Sequence, residues 1–293
     1  MTMSDPAGDG TAPAAAVPGA MTAAVPTTVG GSPRRSRSGA TLGYGLAGLV
    51  VFFGVLEVLP RIGLVSANYL PPTSRIAGAL AAEATEPAFW DAVVDTLTSW
   101  MLGLAIATAA GIAVGVLISV VPHLRAITAS SIEFLRPIPS VALIPLAVLL
   151  YGTDLRSTLL LVVYAAFWQV LIQVLYGVQD VDPVADETAR SYGLGRWARI
   201  RFVLWPTALP YVMTGVRLAA AVALVLAITA ELIIGSPGLG SRIAVAQISN
   251  AVPAMYALVV VTGLLGVLIN IGARLVERRL LSWHQSVRGE VVL

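Results

Sequence analysis

Six stretches of this chain, 42–59, 96–121, 127–151, 157–179, 206–234 and 252–274, are long and apolar enough to cross a bilayer. A spanning helix needs about 20 apolar residues, and hydrocarbon admits only segments that satisfy their own backbone. Only 12% of the residues are charged and 57% are hydrophobic, whereas soluble domains carry about twice that charge. The expected fold is an all-α integral membrane protein of six transmembrane helices.

The residues around these stretches set the domain plan. Residues 1–40 are mostly Ala, Pro, Gly, Thr and Ser, too poor in large apolar groups to offset the entropy of ordering, and are expected to form a disordered cytoplasmic tail. The membrane domain then occupies 41–283, and 284–293 is a second cytoplasmic tail. Arg34, Arg35 and Arg37 precede the first stretch in the manner of a signal peptide. That stretch is longer than the usual h-region of about 7–15 residues, and no clean small-x-small site follows it, so a retained first helix is expected. Twelve of the arginines then fall inside against four outside, Arg61, Arg75, Arg156 and Arg242. The positive-inside rule therefore puts both termini in the cytoplasm.

Two spans carry internal signals. The second has Gly103, Ala107, Gly111 and Gly115 at every fourth position, a seam along which another helix backbone can approach closely. Its partner is a helix of the same chain or of a second copy. The third is interrupted by Glu133, Arg136, Pro137, Pro139 and Pro145. A broken helix is tolerated at membrane depth only where protein or a water-filled cavity satisfies the freed backbone, which places it inside the bundle. Glu133 and Arg136 are either a local (i, i+3) pair or part of a path.

Several chemistries are excluded. All 18 basic residues are Arg, so the lysine that a P-loop places on phosphates is missing, and ATP with its Mg2+ would have to bind a separate subunit. With no Cys, and with His123 and His284 far apart, neither a thiol nucleophile nor a metal site is expected. No catalytic residue, cofactor or nucleic-acid partner is assigned to this chain. Gly235, Gly238 and Gly240 form G-x-x-G-x-G without a βαβ setting, which reads as a turn.

The loop 180–206 is the longest one on the inner side. Asp182 before Pro183 is an N-cap ahead of a residue suited to the first helical position, and Asp186 and Glu187 suit the positive end of the dipole. Gly193 and Gly195 are expected to stop this helix with positive φ, leaving about ten residues, or roughly 15 Å of rod. Val184, Thr188 and Tyr192 share one face, beside a low strip of Ala185 and Ala189. Trp197, Ile200 and Leu204 then suggest an interfacial stretch returning to the bilayer at Pro206.

Glu187-Thr188-Ala189, three residues, Gly193 and then Val203-Leu204-Trp205-Pro206 resemble the EAA loop, E-A-A-xxx-G-x9-I-x-L-P, of binding-protein-dependent ABC importer permeases. Thr188, Val203 and Trp205 depart mildly from the pattern. Leu135-Arg136-Pro137-Ile138-Pro139, Thr214-Gly215-Val216-Arg217 and Gly238-Leu239-Gly240 also resemble the family, and the branch most similar is the one importing sulfonates, taurine and nitrate. Ser99 stands where that branch usually has Arg. The resemblance implies a MetI-like bundle in a bacterial inner membrane, with a coupling helix whose contact residues are Asp186, Glu187, Thr188, Ala189 and Gly193. It also implies two ABC ATPase subunits, a second permease copy as a homodimer, and an extracytoplasmic solute-binding protein.

Polar residues at bilayer depth are the candidates for a translocation path. Gln169 and Gln173 share a helical face continued by Tyr176, and either line the path or bond a neighbouring helix. Arg217 and Glu231 lie fourteen residues, about 21 Å, apart. Arg217 suits snorkelling or attraction of an anion, and Glu231 an outer gate or simple interfacial exposure. An ion-coupled secondary transporter or channel is the alternative function, although no midplane relay or inverted repeat supports it. A polytopic membrane enzyme would need a cluster of reactive groups that the sequence does not offer.

Overall fold

The computed structural model describes residues 38–281. The tail expected at 1–40 lies outside the described residues up to position 37, as does the whole of 284–293. Contacts divide the chain at residue 49. Residues 38–49 are the first turns of α1 (Ser38–Arg61), and the second unit, from Val50 onward, holds every other helix. Among the described residues all regular structure is helical. The order is α2 (Thr73–Thr85), α3 (Pro87–Val120), α4 (Pro122–Leu135), α5 (Ile144–Tyr151), α6 (Leu155–Gln179), α7 (Pro183–Ser191), α8 (Arg196–Arg199), α9 (Trp205–Ile234), α10 (Leu239–Ile248) and α11 (Val252–Leu280). Proline at the first or second position opens α3, α4, α7 and α11, where its missing N–H has no helical partner to lose.

Five helices are long and apolar enough to span a membrane, and the pair His123–Leu135 and Ser140–Tyr151 adds a sixth if taken as one bent span. The pair meets at 85°, because Pro137 and Pro139 stop α4 and a 3-10 turn, Ser140–Leu143, leads into α5. Its contacts climb α6 in order. Leu124 and Ile132 pack beside Trp168 and Leu171, Tyr164 donates to the Leu135 carbonyl at 2.7 Å, and Ser157 donates to the Ala147 carbonyl at 3.0 Å. From residue 171 to 157 the climb is about 21 Å, the progress of a broken crossing.

Two spans start nine and ten residues before the expected positions. The second span starts at Pro87, making a helix of 34 residues, about 51 Å long, which outreaches a bilayer. The fifth starts at Arg196 rather than Pro206, because α8 runs through a π-helical stretch, Ile200–Leu204, into α9 as one 39-residue helix.

At the centre, α6 lies between α3 and α9, with Val162, Ala166, Val170 and Val174 buried. The small-residue seam of α3 meets α6 of the same chain. A Cβ at Gly111 would fall 2.8 Å from the Val170 Cβ and 3.2 Å from the Leu171 backbone nitrogen. Gly111→Leu should therefore destabilise the protein by about 1–3 kcal/mol or more through overpacking. Size-exclusion profiles after a temperature ramp in detergent would show this, and an unchanged midpoint would refute close α3–α6 packing.

Helices α2 and α10 are joined by Arg242, which contacts Glu83 at 2.6 Å and Glu86 at 2.9 Å. Arg61 pairs with Glu57, whose carboxylate also accepts from the Ser74 backbone N–H at 2.9 Å.

Candidate functional site

Between α6 and α9 the chain builds a rigid, exposed helix. The Asp182 side chain accepts from the Val184 N–H at 2.9 Å, giving α7 the cap expected of it. Gly193 has φ +74°, and the reversal there lets its N–H reach the Arg190 carbonyl at 2.8 Å and the Leu194 N–H reach Ala189 at 3.0 Å. Gly195 departs from expectation. Its φ is −65°, because it serves as the extended residue before α8 rather than as a second left-handed stop.

The five coupling candidates separate into two groups. Asp186 turns inward. Its carboxylate takes Arg199 at 2.5 and 2.6 Å and Arg190 at 3.1 Å, tying α7 to α8 across the turn. Ala189 is buried at 7% exposure, not part of an open strip, because α7 rests on that side. Glu187 and Thr188 are exposed, next to Val184 at 68% and Tyr192 at 82%, with open space around Gly193. Arg199 was missed in the sequence. Its only signal was a cation thirteen residues beyond an acid, with a glycine turn between.

The loop is anchored to both helices that leave it. Tyr211 of α9 donates to Asp180 at 2.8 Å, and Arg199 leads through the π stretch into α9. The loop is thereby tied to the ends of α6 and α9, the central helix and its neighbour.

The four path candidates occupy three surroundings. Gln169 and Gln173 are half-buried against Gly215 of α9, where a Cβ would lie 2.9 Å from the Gln173 Cβ. Arg217 pairs with Glu277 of α11 at 3.1 Å, beside an apolar groove of about 420 Å³ between α9 and α11. Glu231 is fully buried, contrary to the exposed alternative. Thr96 donates to it at 2.8 Å and the Gly240 N–H at 3.0 Å. Among the described residues no group of three or more His, Cys, Asp or Glu could hold a metal.

A bundle of apolar spans with a broken helix at its side and a pinned helix beneath is the architecture of a transport permease. Residues 107–282 match the family described as binding-protein-dependent transport system inner membrane component, and the chain belongs to that family. The taurine transport system permease protein TauC of Escherichia coli is 33% identical over 245 residues, 82% of this chain and 89% of that protein. A Bacillus subtilis protein named for aliphatic sulfonate transport is 28% identical over 257 residues, covering 88% and 92% of the two chains. The bicarbonate transport system permease protein CmpB of Synechococcus elongatus is 29% identical over 183 residues, 62% of this chain and 66% of that protein. Among solved structures, an inward-facing MetNI methionine ABC transporter chain has TM-score 0.57 at 21% identity, covering 67% of this chain and 98% of that one. A bacterial ABC transporter involved in alginate import has TM-score 0.58 at 16% identity, covering 82% and 96%; both likenesses are of fold. The protein is thus a multi-pass inner-membrane permease subunit of an ABC-type importer, a class that works with ATPase and binding-protein partners.

Proposed function

We propose that this permease imports a small anion of the sulfonate class. In this reading two identical copies form the path, two separate ATPase subunits hold ATP and Mg2+, and an external binding protein delivers the cargo. Both termini lie in the cytoplasm, as the arginine distribution favours, so that α7 faces the ATPases. The observation that carries the reading is the division of labour on α7: Asp186 and Ala189 hold the helix to its own chain, while Glu187, Thr188 and the Gly193 turn are left free for a partner. Closure of the ATPase pair would press on that face and, through α6 and α9, bias the bundle between inward-open and outward-open states. The cargo class follows from the relatives named for taurine, aliphatic sulfonates and bicarbonate.

The test is to purify the tagged protein in mild detergent from its native host and identify what accompanies it by mass spectrometry. A P-loop ATPase at about one copy per permease is expected, and its companion binding protein can then be screened against taurine, other sulfonates and bicarbonate. Reproducible absence of an ATPase from an intact, monodisperse permease would favour the ion-coupled secondary transporter instead.

A further inference from the structure

The exposed surface of a membrane protein declares its surroundings by polarity. From residue 259 to 268 the exposed residues of α11 are Val259, Val260, Gly263, Leu264, Val267 and Leu268, none of them polar, as lipid contact requires. Helix α4 differs. At 100° per residue, Arg125, Ile132 and Arg136 fall within about 40° of one another, and Ile127 and Phe134 lie on the opposite side. Arg125 and Arg136 open into one cavity of about 540 Å³ between α4 and α6, shared with Thr128, Ile132, Glu133 and Tyr176.

Three observations give this cavity a ligand class. First, it lies on the inner half of α6: Ile172, Leu175 and Tyr176 line it, within about 10 Å of the loop end at Gln179. An exposed Arg136 there suits a water-filled space better than hydrocarbon. Second, both guanidinium groups are free. Among the described residues neither Arg125 nor Arg136 has a carboxylate within ion-pair reach, so the (i, i+3) pair of Glu133 and Arg136 does not form. Third, two cations oppose the single Glu133, and the planar fork of Arg matches the oxygens of an oxyanion.

We infer that the α4–α6 cavity is an anion site on the cytoplasmic half of the translocation path, where Arg136 and Arg125 receive a sulfonate-type oxyanion on its way out of the bundle. The inference rests on the anion-importer reading and gives the anion contacts to α4 rather than to Gln169, Gln173 and Arg217.

The test uses the full chain in phosphatidylcholine nanodiscs, with methanesulfonate as the probe and saturation-transfer NMR as the readout. Wild type should give transfer to the probe methyl group. Arg136→Gln and Arg125→Gln should cut it about tenfold, as loss of one charge-assisted hydrogen bond implies. Arg136→Lys should restore part of it, and Arg75→Gln, on α2, should leave it unchanged. Monodispersity of each variant by size exclusion separates lost binding from lost folding. No transfer with wild type, or transfer in Arg136→Gln and Arg125→Gln that equals the wild-type level, overturns the proposal. So does abolition of the wild-type signal when phosphatidylglycerol is added to the discs, which would mark a lipid-headgroup site. An ATPase that still co-purifies while the probe fails to bind sinks this site alone, whereas loss of the ATPase partner sinks the importer reading.

Discussion

Glu187→Arg should leave the protein inserted at its normal level and reduce uptake about thirtyfold or more. The size follows from the kind of contact assigned to it, since placing the wrong sign in a charge-complementary interface costs several kcal/mol and each 1.4 kcal/mol is a factor of ten. The fold should not notice. Glu187 is exposed, and among the described residues it makes no hydrogen bond or ion pair, so its replacement should shift stability by no more than about 0.5 kcal/mol. Asp186→Ala is the counterpart, because it removes the acceptor of Arg199 and Arg190 and should loosen the loop itself. Gly193→Val should also impair coupling, since φ +74° is a genuine outlier for a β-branched residue. The measurement is uptake of labelled substrate alongside ATPase activity of the purified complex. Normal uptake by Glu187→Arg at normal expression would remove α7 from the coupling pathway.

The sequence made the spans legible because a run of twenty apolar residues has one stable disposition in lipid. It also made α7 legible, because its ends are set by local chemistry: Asp182 before Pro183 at one end and Gly193 at the other. What stayed hidden depends on which surfaces meet. The seam of Gly103, Gly111 and Gly115 announces close approach, but only the fold names Val162, Val170 and Val174 of α6 as its partners. Ala189 looked like part of an open strip because helical periodicity defines faces without saying which is covered. Glu231 was harder still, since its partner Thr96 lies 135 residues away. Pro137 and Pro139 foretold a break in the third span, whereas its 85° angle needs the 3-10 turn that follows them, which no residue pattern announces.

The turn after α9 is where a single methyl group should do most damage. Gly240→Ala is expected to abolish accumulation of folded protein, or to lower its stability by more than about 3 kcal/mol, at the upper end of overpacking costs. The added Cβ would meet the Ile228 carbonyl, and would lie 2.7 Å from both the Glu231 Cβ and the Leu232 backbone nitrogen. Backbone atoms on two sides cannot rotate away as a side-chain end can. Nor can the turn shift freely, because it is pinned elsewhere. The Leu239 N–H donates to the Thr96 hydroxyl at 2.9 Å, that hydroxyl donates to Glu231, and Ser236 and Thr158 share a hydrogen bond of 2.8 Å. Glu231→Ala should come next, at about 3–5 kcal/mol, because it strands the Gly240 N–H and leaves a cavity among α3, α9 and α10. Glu231→Gln should be milder, about 1–3 kcal/mol: its amide oxygen can still accept from Gly240, while its NH2 falls at Oε1, which has no partner among the described residues. Thermal midpoints and monodisperse yield in detergent give the order Gly240→Ala, Glu231→Ala, Glu231→Gln. A Gly240→Ala protein that melts and transports normally would mean that α10 does not close onto α9 in the working transporter.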